Sequence, residues 1–152
     1  MHQPKLEFQE NVPLSNYTTI GLGGKAKLFT ACRSVEQICD CLTYARKNSL
    51  PVQILGGGSN ILFSDKGYDG LVVKIDLKGV SLTDVGDFII AHAAAGEDWD
   101  DFVKLIIDQA CSGIECLSGI PGLIGATPMQ NVGAYGQEVS DTIISLNALD
   151  SK

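Results

Sequence analysis

Residues 119–136 read Gly-Ile-Pro-Gly-Leu-Ile-Gly-Ala-Thr-Pro-Met-Gln-Asn-Val-Gly-Ala-Tyr-Gly. Five of these eighteen residues are glycine, two are proline, and none carries a formal charge. A regular helix is excluded, because an interior Gly costs roughly 1 kcal/mol against Ala and a Pro about 3. A central strand is disfavoured as well, since Pro cannot donate to a ladder. Ile120, Leu123, Ile124, Met129, Val132 and Tyr135 nevertheless make the stretch too apolar for a solvated linker. A glycine-shaped loop whose backbone closely approaches a ligand or a packing corner is what remains.

The rest of the chain is of globular composition: 152 residues, 45% hydrophobic and 19% charged. With 11 basic against 18 acidic residues the formal net charge is -7, which disfavours nucleic acid or an anionic membrane as partner. No apolar run approaches the ~18 residues of a membrane span. The first ten residues lack the apolar core of a signal peptide, so a cytoplasmic location is expected. The five cysteines, at 32, 39, 41, 111 and 116, lack zinc-knuckle spacing, and the only histidines are His2 and His92. Buried reduced thiols are expected and no metal site.

Along the chain, Asn11 to Thr19 reads as a polar leading loop and Lys25 to Cys32 as a strand with imperfect alternation. Ser34 opens a helix with Gln37 completing a capping box, and Val35, Ile38, Leu42 and Ala45 form one apolar stripe. Pro51 to Leu55 is a short buried strand, Ile61 to Phe63 resumes apolar, and Leu71 to Ile75 and Phe88 to Ala95 are strands. Asp98 caps a second helix that contains Trp99 and has Gly113 as its left-handed stop. Thr142 to Leu149 reads as a last strand. The order β-α-β-loop-β-β-β-α-loop-β is mixed, so the fold class is α+β. A composition shift near Asp69-Gly70 suggests two lobes, residues 1–69 and 70–152. His92 is expected as a packed core imidazole, and Glu97 as a cap on the amides of the helix start.

Three glycine clusters need weighing. Gly21-Leu22-Gly23-Gly24-Lys25-Ala26 matches a dinucleotide pattern on paper, but a strand follows it where a helix is required, so it reads as a turn. Gly56-Gly57-Gly58-Ser59-Asn60 is followed by no Gly-Lys-Ser/Thr and is not a Walker A loop. Consecutive glycines, with Gly57 expected at positive φ, can gather N–H groups into an anion-binding nest; a tight hairpin turn is the equal alternative. The third cluster is the 119–136 stretch. Neither of the last two loops contains Lys or Arg, so a pyrophosphate would be met by amides and by the Ser59 and Thr127 hydroxyls. The Gln130 and Asn131 amides could read the edge of a ring that the neighbouring Ile, Leu and Met shield from water. That combination suits a flavin dinucleotide.

Asn16-Tyr17-Thr18-Thr19-Ile20-Gly21-Leu22-Gly23-Gly24, Ile54 through Leu62, Ala95-Gly96-Glu97, and Ile120-Pro121-Gly122 through Gln137-Glu138 resemble the UDP-N-acetylenolpyruvoylglucosamine reductase family. The glycine triplet with Ser-Asn is shared by flavin oxidases of the p-cresol methylhydroxylase/vanillyl-alcohol oxidase type; the Gln-Asn-x-Gly-Ala-Tyr-Gly block is more specific to the reductase. The resemblance implies a two-lobed α+β FAD-binding fold with the second lobe incomplete and the substrate-binding domain absent. It implies FAD between the lobes, held by Gly56, Gly57, Gly58, Ser59, Asn60 and Ile61 at the pyrophosphate. Along the ribityl chain and ring it implies Pro121, Gly122, Gly125, Ala126, Thr127, Gln130, Asn131, Gly133, Ala134, Tyr135 and Gly136.

In the family NADPH is the reductant, and the flavin passes hydride to UDP-N-acetylglucosamine enolpyruvate, giving UDP-N-acetylmuramate for peptidoglycan, and hence for cell wall biogenesis, cell shape and cell division. The family's arginine, proton-donor serine and assisting glutamate have no matching positions here. No catalytic residue is therefore assigned, and the chain alone is expected not to turn over. The alternatives are a flavin module of another oxidase of the same superfamily, or a non-catalytic scaffold. For the whole enzyme the expected partner is a UDP-linked amino sugar, with no nucleic acid, membrane or metal.

Overall fold

The computed structural model describes residues 7–150. His2 and the first residues of the expected signal-free start lie outside that range. The chain divides into two compact units, one running to Leu77 and the other from Lys78. Asp69 and Gly70, where the composition shifts, lie inside a strand.

In the first unit four strands form one sheet: β1 (Gln9–Pro13), β2 (Lys25–Cys32), β3 (Val52–Leu55) and β4 (Tyr68–Ile75), in the order β1-β2-β4-β3. β1 runs antiparallel to β2, and β2 and β3 run parallel to β4. A helix, α1 (Val35–Lys47), makes the crossover from β2 to β3. Each face of the sheet is buried by its own cluster. Leu14, Ala26, Phe29, Leu55, Phe63 and Val72 make one, and Cys32, Ile38, Cys41, Ala45, Leu71 and Val73 make the other. The imperfect alternation of β2 has a cause: a register shift between Ala26 and Leu28 sends Ala26 and Phe29 to the first core and Leu28 and Cys32 to the second.

α1 starts where the capping residue places it. Ser34 Oγ accepts from Gln37 N at 3.3 Å, while Gln37 Oε1 accepts from Arg33 N at 2.7 Å, one residue earlier than a capping box requires. Its buried face is Ile38, Cys41 and Ala45; Leu42 is half-buried, and Val35, the first residue of the expected stripe, is 50% exposed. Two further expectations fail here. Asn11–Thr19 is not wholly a loop: its first part belongs to β1, a polar edge strand recruited by backbone pairing, and a 3-10 turn at Leu14–Tyr17 follows. Ile61–Phe63 makes no ladder, although Phe63 is buried in the first core.

The second unit holds a hairpin of β5 (Val80–Asp84) and β6 (Ile89–Ala93), the helix α2 (Trp99–Asp108), and a minimal hairpin of β7 (Gly133–Ala134) and β8 (Gln137–Glu138). Its core gathers Trp99, Val103, Ile106, Ile114, Leu117 and Val139. β5 was not legible from its sequence, and His92 on β6 is exposed, not a core imidazole. Asp98 Oδ1 caps α2 as expected, accepting from Asp100 N at 2.9 Å and Asp101 N at 3.1 Å. Residues 142–149 form no strand: Ile144, Leu146 and Leu149 stay exposed, and among the described residues nothing pairs with them.

The stop of α2 lies at Ala110, not at Gly113. Ala110 N donates to Ile107 O and Cys111 N to Ile106 O, the two bonds of a Schellman cap, and Ala110 takes φ +57. A Cβ in the left-handed region costs roughly 1 kcal/mol. Ala110→Gly is expected to stabilise the second unit by about 0.5–1 kcal/mol, net of the added chain entropy, and urea melts will show it as a raised midpoint at unchanged slope.

Candidate functional site

Both glycine loops are built on supports that can be named. β3 ends at the buried Leu55, and the chain then turns through Gly56-Gly57-Gly58. The 3-10 turn ending at Tyr17 backs that loop. Thr19 N donates to Gly58 O at 2.9 Å, Tyr17 stacks its ring 4.4 Å from Phe29, and Thr18 Oγ1 donates to Leu22 O at 2.9 Å. The expectation at Gly57 shifts by one residue: Gly58 holds the left-handed φ of +74, and it is buried. A Cβ on Gly58 would overlap Tyr17 O and stand 2.9 Å from Tyr17 C and 3.0 Å from Thr18 Cα. Gly57, Ser59 and Asn60 are exposed at the outer rim of the turn, while Gly56 and Ile61 are half-buried. The loop thus exposes Gly57, Ser59 and Asn60 to solvent and is pinned on its other side by the 17–19 segment.

In the second unit the 119–136 stretch is irregular, as its composition requires. Ile124 N donates to Glu97 O at 2.9 Å, Gly125 N to Ala95 O at 3.0 Å, and Trp99 N to Gly122 O at 3.0 Å. Gly125 is needed for that approach, because a Cβ there would come 2.6 Å from the Ala95 Cβ. A 3-10 turn over Ile124–Gln130 follows, with Asn131 in the left-handed region at φ +47. The chain then forms the β7–β8 hairpin, turned by Tyr135 (φ +51) and Gly136 (φ +86), a pair of positive angles that defines a type I′ turn. Tyr135 stands at the tip, 93% exposed.

Several expected roles look different in place. Thr127 is buried, and its hydroxyl donates to Ile124 O at 3.0 Å, so it shapes the turn. The Asn131 amide is engaged at both ends, donating to Glu138 Oε2 at 2.7 Å and accepting from Ser140 N at 3.1 Å. Glu97 caps no helix amide; its carboxylate accepts from Gly79 N at 2.6 Å and lies 3.6 Å from Lys78 Nζ. Pro121, Gly125, Ala126, Gln130 and Gly133 are exposed along the stretch; Gly122 and Ala134 are half-buried. A cleft of about 640 Å³ opens beside it, walled by Ile120, Gln130, Val132, Gly133, Ala134 and Gly136, with Gln137 and Glu138 at its edge.

Asp100, for which the sequence suggests only a solvated helix position, anchors the stretch. Its Oδ1 accepts from Gly119 N at 2.6 Å and from Ser118 Oγ at 2.8 Å. The Gly119 N–H, then the Ser118 hydroxyl, hold its carboxyl below the usual 3.8. A lowered folded-state value contributes stability above the unfolded value, and the contribution is lost as pH falls through the folded one. Asp100→Asn is therefore expected to lower the melting temperature at neutral pH, with the gap to the parent closing as acid is taken below 3.8. The signal available in the sequence was the Asp-Asp pair in the first turn of α2, but nothing there says which acid reaches residues 118 and 119.

Among the described residues no group of three His, Cys, Asp or Glu side chains could hold a metal ion, and no helix is long and apolar enough to cross a membrane. The cleft is open to solvent and has the Glu138 carboxylate at its edge. Its volume lies in the range of small-molecule sites, and its wall combines Ile and Val side chains with bare glycine backbone and the Gln130 amide.

Residues 26–152 match the family model described as FAD binding domain. The chain belongs to that family. Relatives of this FAD-binding domain include the UDP-N-acetylenolpyruvoylglucosamine reductases of Thermobifida fusca, 43% identical over 94% of the chain and 40% of the relative, and of Flavobacterium johnsoniae, 47% identical over 95% and 42%. The reductase of Pseudomonas aeruginosa is 40% identical over 95% of the chain and 43% of its own length. Among solved structures, UDP-N-acetylenolpyruvylglucosamine reductase (MurB) from Thermus caldophilus superposes with a TM-score of 0.67 at 27% identity, over 89% of this chain and 47% of that one. The chain thus spans roughly two fifths of the length of these curated relatives. Its fold is the α+β FAD-binding fold, and FAD is the cofactor of the family.

Proposed function

We propose that this chain is the FAD-holding part of an NADPH-dependent UDP-N-acetylenolpyruvoylglucosamine reductase, acting in the cytoplasm on a UDP-linked amino sugar during peptidoglycan precursor synthesis. The observation that carries the reading is the cleft along residues 120–136, in a domain that matches FAD-binding proteins and shares 40–47% identity with reductases of that name. When bound, FAD supplies two-electron hydride chemistry.

The residues of the chain hold and orient. Gly56, Gly57 and Gly58 with Ser59, Asn60 and Ile61 offer backbone amides and polar side chains to the pyrophosphate, with no lysine or arginine in the loop. Pro121, Gly122, Gly125 and Ala126, with small or no side chains, bring the chain close to the cofactor, and Gln130, Gly133, Ala134, Tyr135 and Gly136 border its ring. Thr127 and Asn131 act from within, fixing the turns that present their neighbours. No side chain of this chain is assigned a proton transfer, so the reading includes binding without turnover.

The test is a visible absorption spectrum of the purified chain after incubation with FAD and desalting. Retained flavin bands, with no NADPH-dependent reduction of the enolpyruvyl nucleotide, are the expected result. A colourless protein that is folded by circular dichroism would refute the assignment of the site. Turnover of the nucleotide would refute the absence of catalytic groups.

A further inference from the structure

The second core of the first unit contains two thiols in contact. Cys32 is the last residue of β2 and Cys41 lies on the second turn of α1, so the tight strand-to-helix connection folds them onto each other. Their Sγ atoms are 3.6 Å apart, with one thiol donating to the other, and the residues are 1% and 0% exposed. Ile38, Ala45, Leu71 and Val73 complete the apolar surroundings. All five cysteines are free. Cys39 is exposed and two residues from Cys41 on the same helix, a spacing that turns it to another face. Cys111 and Cys116 belong to the other unit.

What a pair of touching sulfurs adds is a two-electron couple, with about 1.5 Å to close before reaching disulfide length. We infer that Cys32 and Cys41 form an oxidative modification site, in which a hydroperoxide converts the two thiols to an intramolecular disulfide joining β2 to α1. The Cys32 sulfur attacks the terminal peroxide oxygen, the O–O bond breaks, and the departing oxygen leaves as water or alcohol, taking the thiol proton. The Cys41 sulfur then displaces the sulfenic oxygen of Cys32, which leaves as water with the Cys41 proton. Two thiols and one hydroperoxide thus give one disulfide, one water and one alcohol, or two waters from hydrogen peroxide itself. The contact with Cys41 lowers the Cys32 thiol against the raising effect of burial, while contact and burial both raise Cys41, so Cys32 is taken as the attacker and Cys41, 3.6 Å away, as the resolver. Both sulfurs are buried, which leaves no approach for a bulky oxidant such as glutathione disulfide, so the oxidant class, a small hydroperoxide, is part of the assignment.

The folded chain is titrated with hydrogen peroxide, then unfolded in the presence of an alkylating reagent and mapped by mass spectrometry. Two of the five thiols are expected to resist alkylation until reduced, with an intact mass about 2 Da lower and one linked peptide pair, Cys32 with Cys41. Glutathione disulfide is expected to leave both alkylatable. The same titration in denaturant, where no fold selects partners, is expected to give mixed pairs that include Cys39. Full alkylation of Cys32 and Cys41 at a peroxide dose that has oxidised Cys39 would overturn the site. So would a distribution of pairs from the folded chain equal to that from the denatured one.

Discussion

Gly58→Ala is expected to destabilise the first unit by about 3 kcal/mol and to remove FAD retention, and both effects have the same origin. The new Cβ would occupy the space of Tyr17 O, a backbone atom that cannot rotate away. The left-handed φ adds roughly 1 kcal/mol for any residue with a Cβ. Relief requires the 14–19 segment to retreat, which breaks the Thr19 N–H bond to Gly58 O, worth about 1 kcal/mol, and draws the fully buried Leu14 from its core. Gly57→Ala is the control, because Gly57 is exposed and outside the left-handed region. It should melt within about 1 kcal/mol of the parent while weakening flavin binding if the amide edge faces the pyrophosphate. Urea melts and desalted flavin spectra on both variants separate the two roles. Parent stability in Gly58→Ala would show that the 17–19 segment does not pin the loop.

That shift of one residue illustrates what was legible in the sequence. A run of three glycines announces a turn with close backbone approach, but which glycine takes the left-handed angle depends on the Tyr17 carbonyl, distant in sequence. Signals that act locally could be read: the Ser34 and Asp98 caps, the helix between Pro51 and Ser34, and the inability of 119–136 to be regular. Signals that need a partner could not. Gln9–Pro13 is too polar to read as a strand and becomes one through backbone pairing with β2. Residues 142–149 have the converse problem, since Ile144 and Leu146 alternate as a strand would, yet a strand exists only when something pairs with it. Ala110 in place of glycine at the end of α2 hid the true stop, and Asp100 looked like any acid near a helix start.

Trp99→Ala carries the other large effect, and it is confined to the second unit. Trp99 is 3% exposed at the first position of α2, packs 6.0 Å ring-to-ring from Phe102, and donates from Nε1 to Leu117 O at 2.8 Å. Truncating a buried Trp costs about 3–5 kcal/mol through lost contacts and the cavity left behind. Among the described residues the second unit has six in its buried cluster, so that cost is a large part of the stability expected for ~75 residues, about 4–11 kcal/mol. Hydrogen exchange is expected to show protection lost over α2 and residues 115–139, while β2 and β4, which have separate cores, keep theirs. Trp99→Phe divides the effect: the ring volume is mostly retained, but the Leu117 carbonyl loses its donor, costing about 1–3 kcal/mol. Because Trp99 is the only tryptophan, the parent reports its own unfolding by fluorescence and the variants must be followed by circular dichroism. Should Trp99→Phe prove as damaging as Trp99→Ala, the indole N–H bond to Leu117 holds residues 117–119 in place more than packing does. Near-parent stability in both variants would mean that the residues around Leu117 and Val139 form the core of the unit without the indole.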